Sequence, residues 1–203
     1  EKQVNEQKFE DLAPGEIMSR LFLTRHYETL DNLWIRKARL GIKRAGRRLT
    51  SINIPSADGL TQPRVLADYL RRRGFDADNS VLVTSKAQRS IATGIGVYAA
   101  FDLGLEECFE EDANHFPRQG LREISYPDTS PEREDVGYFT YEVLQNFARW
   151  HQGADVLTVL HSNRNRCLLE VLGSYVPHFE NCGVVEFELR EDKLYVAEEY
   201  VSF

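Results

Sequence analysis

Cysteine is scarce in this chain. The three present, Cys108, Cys167 and Cys182, are odd in number and far apart, which suits neither a disulfide framework nor a zinc site. A reducing, cytoplasmic compartment is the expectation that follows. Long apolar runs are missing too: nothing approaches the roughly 20 residues needed to cross a bilayer. The opening residues Glu1-Lys2-Gln3-Val4-Asn5 have no apolar core of the signal-peptide kind, so no membrane partner is expected. Internal repeats, low-complexity tracts and linker-like breaks in composition are also absent. The expected organisation is a polar arm over residues 1–16, ending in Ala13-Pro14-Gly15, and a single domain over residues 17–203.

What the chain does have is the composition of an ordinary globule, 42% hydrophobic and 28% charged over 203 residues, enough for a core without disulfides or a structural metal. Its charge is unevenly spread. Twenty-five Lys and Arg against 32 Asp and Glu leave a net −7, yet residues 32–57 hold no acid and carry Arg36, Lys37, Arg39, Lys43, Arg44, Arg47 and Arg48. Residues 106–135 are correspondingly acid-rich. The basic stretch reads either as a solvated face or as an attractor for an anionic substrate. Nucleic acid is not the expected partner, because the chain is acidic overall and shows no recognition module.

Periodicity separates strands from helices. Residues 17–24 read as a buried strand running into Arg25-His26. Similar runs recur at Val81-Leu82-Val83-Thr84-Ser85 and at Val156-Leu157-Thr158-Val159-Leu160-His161. Residues 59–73, 87–101 and 138–151 place apolar side chains at helical spacing, and residues 184–189 and 193–201 flank Arg190-Glu191-Asp192 as a hairpin. Alternating strands and helices predict an α/β fold, a three-layer αβα sandwich on a mainly parallel sheet with a C-terminal hairpin. Ligands of such sheets bind beyond the carboxyl ends of the strands. Those ends deliver Arg25, His26, Ser85, Arg89 and His161 to one rim. Guanidinium forks match phosphoryl oxygens, and a neutral imidazole is a competent nucleophile toward phosphorus, so phosphoryl transfer is the chemistry these residues suit.

At this point the chain resembles a known family, the histidine phosphatase or phosphoglycerate mutase-like superfamily. Its Arg-His-Gly-Glu-Thr-x-x-Asn signature is similar to Arg25-His26-Tyr27-Glu28-Thr29-Leu30-Asp31-Asn32. Further family segments resemble Gly59-Leu60-Thr61-Gln62-Pro63-Arg64-Val65-Leu66-Ala67, Ser85-Lys86-Ala87-Gln88-Arg89-Ser90-Ile91-Ala92-Thr93, Leu121-Arg122-Glu123 and His161-Ser162-Asn163-Arg164-Asn165-Arg166. The closing Asn181-Cys182-Gly183-Val184 is similar as well. Each motif alone is weak, but they occur in the family's order across residues 17–203.

The resemblance implies a phosphoglycerate mutase-like fold and a metal-independent phosphatase with no cofactor. His26 would become a phosphohistidine. Arg25, Arg89 and His161 would grip the phosphoryl oxygens, with Asn32 as a neutral donor. Glu123 would protonate the leaving oxygen and then take a proton from the attacking water. The expected partner is a small phosphorylated substrate or a phosphopeptide; oligomeric state is not indicated. A mutase of the same chemistry and a phosphate-binding module without turnover are the alternatives.

Departures from the pattern are specific. Tyr27 stands where the family has glycine, and Ser162-Asn163 replace a glycine pair. If those positions need a left-handed backbone, a Cβ costs about 1–2 kcal/mol there. Tyr27 could narrow the pocket mouth or offer its hydroxyl or ring to substrate, while Ser162 and Asn163 could add polar contacts. Arg36, Lys37 and Arg39 are candidates for a second anionic group.

Overall fold

The computed structural model describes residues 19–30, 32, 53–102, 115–121 and 130–203. The arm over residues 1–16 lies outside them. Along Ser19–Arg25 (β1), successive side chains point to opposite sides, and both sides are covered. Leu21 and Leu23 pack with Val81, Val83, Val156 and Leu160 in one cluster, whereas Phe22 joins Leu82, Leu157 and Val159 in another. Strands buried on both faces read as continuous apolar runs, which is why these segments stand out in the sequence.

After β1 come Gln62–Arg72 (α1), Ser80–Ser85 (β2), Gln88–Ala100 (α2), His115–Arg118 (β3) and a short 3-10 turn at Gln119–Leu121. Glu132–Trp150 (α3), Asp155–Leu160 (β4), Ser162–Val171 (α4), Val184–Arg190 (β5) and Lys193–Val201 (β6) complete the described elements. The sheet order is β3-β2-β4-β1-β5-β6. The first four strands are mutually parallel, β5 runs antiparallel to β1, and β6 runs antiparallel to β5. Helices α1 and α2 cover one face through Leu66, Leu70, Val97 and Tyr98. Helices α3 and α4 cover the other through Leu144, Phe147, Leu168 and Leu169. The result is the three-layer sandwich with a C-terminal hairpin that the pattern predicts. Among the described residues, no helix is long and apolar enough to cross a membrane.

Two helical boundaries differ from the periodicity reading. Helix α3 begins at Glu132 rather than at residue 138. Its first turn carries Glu132, Glu134 and Asp135, which favour the positive end of the helix dipole, and its early buried positions are Arg133, Gly137 and Thr140. Helix α4 escapes a hydrophobic search altogether, because Arg164, Asn165 and Arg166 are among its buried residues. The hairpin is as expected. Glu191 and Asp192 close it with φ of 45° and 64°, the doubly positive pair that a two-residue turn between twisted strands requires.

Ion pairs fasten the sheet end remote from the strand C-termini. Arg20 grips Asp155 through two hydrogen bonds of 2.9 and 2.6 Å and also donates to the Arg73 and Gly74 carbonyls. Arg73, at the end of α1, pairs with Glu186 at 2.9 Å and Glu198 at 2.7 Å. Because β4 lies between β1 and β2, the carboxyl ends of all three stand side by side, with Arg25 level with Leu160 and Thr84 with Val159. This is the crevice where a ligand is expected.

Helix α3 crosses α4 at Gly137, where a Cβ would stand 2.4 Å from the Cys167 carbonyl oxygen and 2.6 Å from Val171 Cγ1. Alanine is the better helix former by about 1 kcal/mol, but overpacking costs about 1–3 kcal/mol, and a backbone oxygen yields little. Gly137→Ala should therefore lower the denaturant midpoint with an unchanged slope. A raised midpoint would contradict so close a crossing.

Candidate active site

The backbone that carries the site is held from several directions. His26 extends the β1–β4 ladder by one bond, its amide donating to the Leu160 carbonyl at 3.2 Å. Asn181 Nδ2 donates to the His26 carbonyl at 2.8 Å, and the Cys182 amide to that of Arg25 at 3.0 Å. Cys182 adopts a left-handed φ of 54°, so the Asn181-Cys182 corner is shaped to clasp the end of β1. Asn165 Nδ2 adds a bond of 3.1 Å to the Thr24 carbonyl.

On this frame two imidazoles and two guanidiniums converge. His26 donates from Nδ1 to the Tyr27 carbonyl at 2.7 Å, which leaves the lone pair on Nε2, where Arg89 Nε donates at 3.2 Å. The His161 ring lies edge-on to that of His26, with centroids 5.3 Å apart. Its Nε2 faces Ser85 Oγ at 2.8 Å and its Nδ1 faces the Arg89 guanidinium at 3.5 Å. Arg25 donates to the Phe179 carbonyl at 2.8 Å. All four side chains are buried. Arg89 occupies the first turn of α2, and His161 caps α4. Neither helix has a side-chain cap, so both present their amide ends at the same rim.

Burial and the surrounding charge keep both imidazoles neutral. Desolvation, then the Arg25, His161 and Arg89 charges, hold His26 well below the ordinary 6.5. Desolvation followed by Arg89, Arg164 and Arg25 brings His161 to about 3. A neutral imidazole with a directed lone pair among fixed cations can attack an electrophile that carries negative oxygens. Among the described residues, no group of three His, Cys, Asp or Glu side chains stands together as a metal site.

The second sequence motif buttresses the first. Gln62 Oε1 accepts the Glu28 amide at 2.6 Å, Ser56 Oγ donates to the Glu28 carboxylate at 2.7 Å, and Ser56 Oγ accepts the Gly59 amide at 3.0 Å. A Cβ on Gly59 would stand 2.0 Å from the Glu28 carbonyl oxygen, so this approach requires glycine. Asn32 forms a reciprocal cap with Thr29: its Oδ1 accepts from Thr29 Oγ1 at 3.0 Å, and Thr29 Oγ1 accepts its amide at 3.3 Å.

Other candidates take different places. The Tyr27 ring is buried in the core under α1 and α2, and its hydroxyl donates to the Asn53 carbonyl at 2.8 Å. That hydroxyl is thus committed to the protein rather than offered at a pocket mouth. Ser162 and Asn163 form the first turn of α4 and are half-buried. Neither they nor Tyr27 has a left-handed φ. The described non-glycine residues that do are Asp102, Cys182, Glu191 and Asp192. The three replacements of family glycines therefore carry no left-handed backbone strain. Arg36, Lys37, Arg39 and Glu123 lie outside the described residues. Residues to which the sequence reading assigned no role, Asn165, Asn181, Ser90 and Thr93, turn out to hold the site together. All four lie within the quoted motif segments, and none has a reactive group that would single it out.

No family model and no curated protein sequence matches the chain. Solved structures do. Bacillus stearothermophilus YhfR is similar at 18% identity over 89% of this chain and 96% of that one, with a TM-score of 0.62. A phosphoserine phosphatase from Entamoeba histolytica, in complex with 3-phosphoglyceric acid, is similar at 17% identity over 92% and 98%, with a TM-score of 0.60. A phosphoglycerate mutase from Bacillus anthracis str. Sterne is similar at 16% identity over 91% and 94%, with a TM-score of 0.58. With the sheet order and the convergence of Arg25, His26, Arg89 and His161 on one rim, these likenesses identify the architecture: the chain has the phosphoglycerate mutase-like fold.

Proposed function

We propose that the protein hydrolyses a phosphomonoester through a phosphohistidine on Nε2 of His26, without a metal or cofactor. The observation that carries this reading is the state of that ring. Its Nδ1 proton is engaged by the Tyr27 carbonyl, so the Nε2 lone pair faces Arg89 within a rim of guanidiniums. In the first half-reaction Nε2 attacks phosphorus, the ester P–O bond breaks, and the leaving oxygen takes a proton. In the second, water attacks phosphorus, the P–N bond breaks, and inorganic phosphate leaves with His26 neutral again. Arg25, Arg89 and Asn32 bind the phosphoryl oxygens, His161 joins them from Nδ1 once the bound dianion favours its protonated form, and the developing charge on those oxygens is what fixed donors stabilise.

Glu123 is the proposed proton donor and acceptor, on the strength of its motif. Arg36, Lys37 and Arg39 are proposed for a second anionic group, with Ser162, Asn163 and the Tyr27 backbone nearer the phosphoryl group. A small phosphorylated substrate is favoured, and the Entamoeba phosphoserine phosphatase, a relative in fold, supports that class. The two described cysteines, Cys167 and Cys182, are buried free thiols, which supports a reducing, cytoplasmic setting.

Rapid mixing with a phosphorylated substrate in the presence of a chelator, followed by alkaline quenching, should leave acid-labile phosphate on His26. His26→Ala should show none. Label retained in that variant would move the nucleophile elsewhere.

The lowered histidine pKa values set the pH profile. A histidine held below 6.5 stays neutral as pH falls through that value, so kcat/KM for an aryl phosphate should remain level there and decline only at lower pH. A loss of kcat/KM with its midpoint near 6.5 would show an ordinary imidazole in the nucleophile's place.

Arg89 contacts both histidines. Arg89→Ala should weaken vanadate binding by about 1.5–3 kcal/mol, roughly 10- to 150-fold, the range for hydrogen bonds to charged groups. Calorimetric titration reads the change directly. Unaltered affinity would remove Arg89 from the phosphoryl site.

A further inference from the structure

Helix α2 reaches the two histidines through more than Arg89. One turn further along, Thr93 Oγ1 donates to the Arg89 carbonyl at 2.7 Å and accepts the Tyr27 amide at 2.9 Å. The carbonyl of that same residue receives the Nδ1 proton of His26 at 2.7 Å. The circuit closes where Arg89 Nε donates to His26 Nε2 at 3.2 Å. Tyr27 is thus held at its amide by Thr93 and at its hydroxyl by Asn53, and the peptide that bears its carbonyl is held by Gln62, which accepts the Glu28 amide at 2.6 Å. Its carbonyl has little freedom to turn away from the His26 ring.

The second route runs through Ser90, which stands where the family motif has alanine. Ser85 Oγ donates to Ser90 Oγ at 2.9 Å. A hydroxyl has one proton to give, so Ser85 can meet His161 Nε2, 2.8 Å away, only as an acceptor. The His161 proton therefore sits on Nε2, and its Nδ1 lone pair faces Arg89. Ser85, Ser90, Thr93 and His161 are all fully buried, which leaves each bond with the protein partner named here.

We propose that Ser90 and Thr93 are positioning residues that set opposite tautomers in the two histidines. Thr93, by fixing the Tyr27 amide and so the position of that residue, keeps the proton of His26 on Nδ1 and its lone pair on the nucleophilic Nε2. Ser90, through Ser85, keeps the proton of His161 on Nε2. Only the kinetic consequence rests on the phosphatase reading, because the tautomers exist whatever the chemistry.

Long-range proton–nitrogen NMR of the 15N-labelled protein without ligand tests this. The wild type should show Nδ1–H on His26 and Nε2–H on His161. Thr93→Val should release the His26 tautomer and leave that of His161 in place. Ser90→Ala frees Ser85 to donate to His161 Nε2, so it should do the reverse. Thr93→Ser should restore the wild-type pattern. With an aryl phosphate, Thr93→Val should lower kcat by about 10- to 100-fold, by analogy with loss of the partners that orient metal-ligating histidines, with KM nearly unchanged. Thermal unfolding checks that each variant is folded; Thr93→Ala replaces Thr93→Val if the latter is not. A wild-type spectrum with either proton on the opposite nitrogen overturns the proposal, as do tautomers unmoved in both variants. Tautomers that move in a protein without phosphatase activity would uphold it and defeat the hydrolytic reading instead.

Discussion

A lone pair on a buried imidazole is useful only if the ring's single proton is held on the other nitrogen. For His26 that holder is the Tyr27 carbonyl, 2.7 Å from Nδ1, and much of the surrounding structure keeps that one bond in place. The Tyr27 amide is tied to helix α2 by Thr93, the peptide bearing the carbonyl is tied to helix α1 by Gln62 through the Glu28 amide, and the carbonyl of His26 itself is tied to the hairpin entry by Asn181. The ring's other nitrogen is met by Arg89, a donor that cannot remove the lone pair's preference because it never accepts a proton at ordinary pH.

The fold supplies this arrangement at a place where it would otherwise be hard to build. Polar groups this deeply buried need partners, and the crevice beside β4 offers carbonyls and amides from three strand ends together with the first turns of two helices. The cationic side chains tilt the electrostatics further. They hold both histidines in the neutral form that burial already favours, and in the proposed reaction the same arginines would also bind the anionic oxygens.

The replacement of glycines illustrates how a motif can change without changing the fold. Tyr27 has an ordinary negative φ and turns its ring into the α1/α2 core. What Tyr27 supplies to His26 is a backbone carbonyl, which any residue provides. Ser162 and Asn163 likewise enter α4 as helical residues. The close approach that does demand glycine lies elsewhere, at Gly59 against the Glu28 carbonyl, and there glycine is present.

Much of this was legible from residue order. Apolar runs ending in Arg25-His26, Ser85 and His161 located the strand ends, since strands covered on both sides must be apolar throughout, and the order of motifs pointed to the architecture. Helix α4 and the first turns of α3 were not legible, because Arg164, Asn165 and Arg166 in the one and Arg133, Gly137 and Thr140 in the other take buried positions that a hydrophobic pattern does not register. Nor could the sequence distinguish a Tyr27 that faces a ligand from one that faces the core. By itself it determined which chemical groups arrive at the rim, because strand polarity and length depend on local pattern. Only the tertiary structure decided their protonation and tautomers. Those depend on burial and on hydrogen bonds between positions as far apart as 27 and 93 or 85 and 161, which form only when the sheet and helix α2 come together.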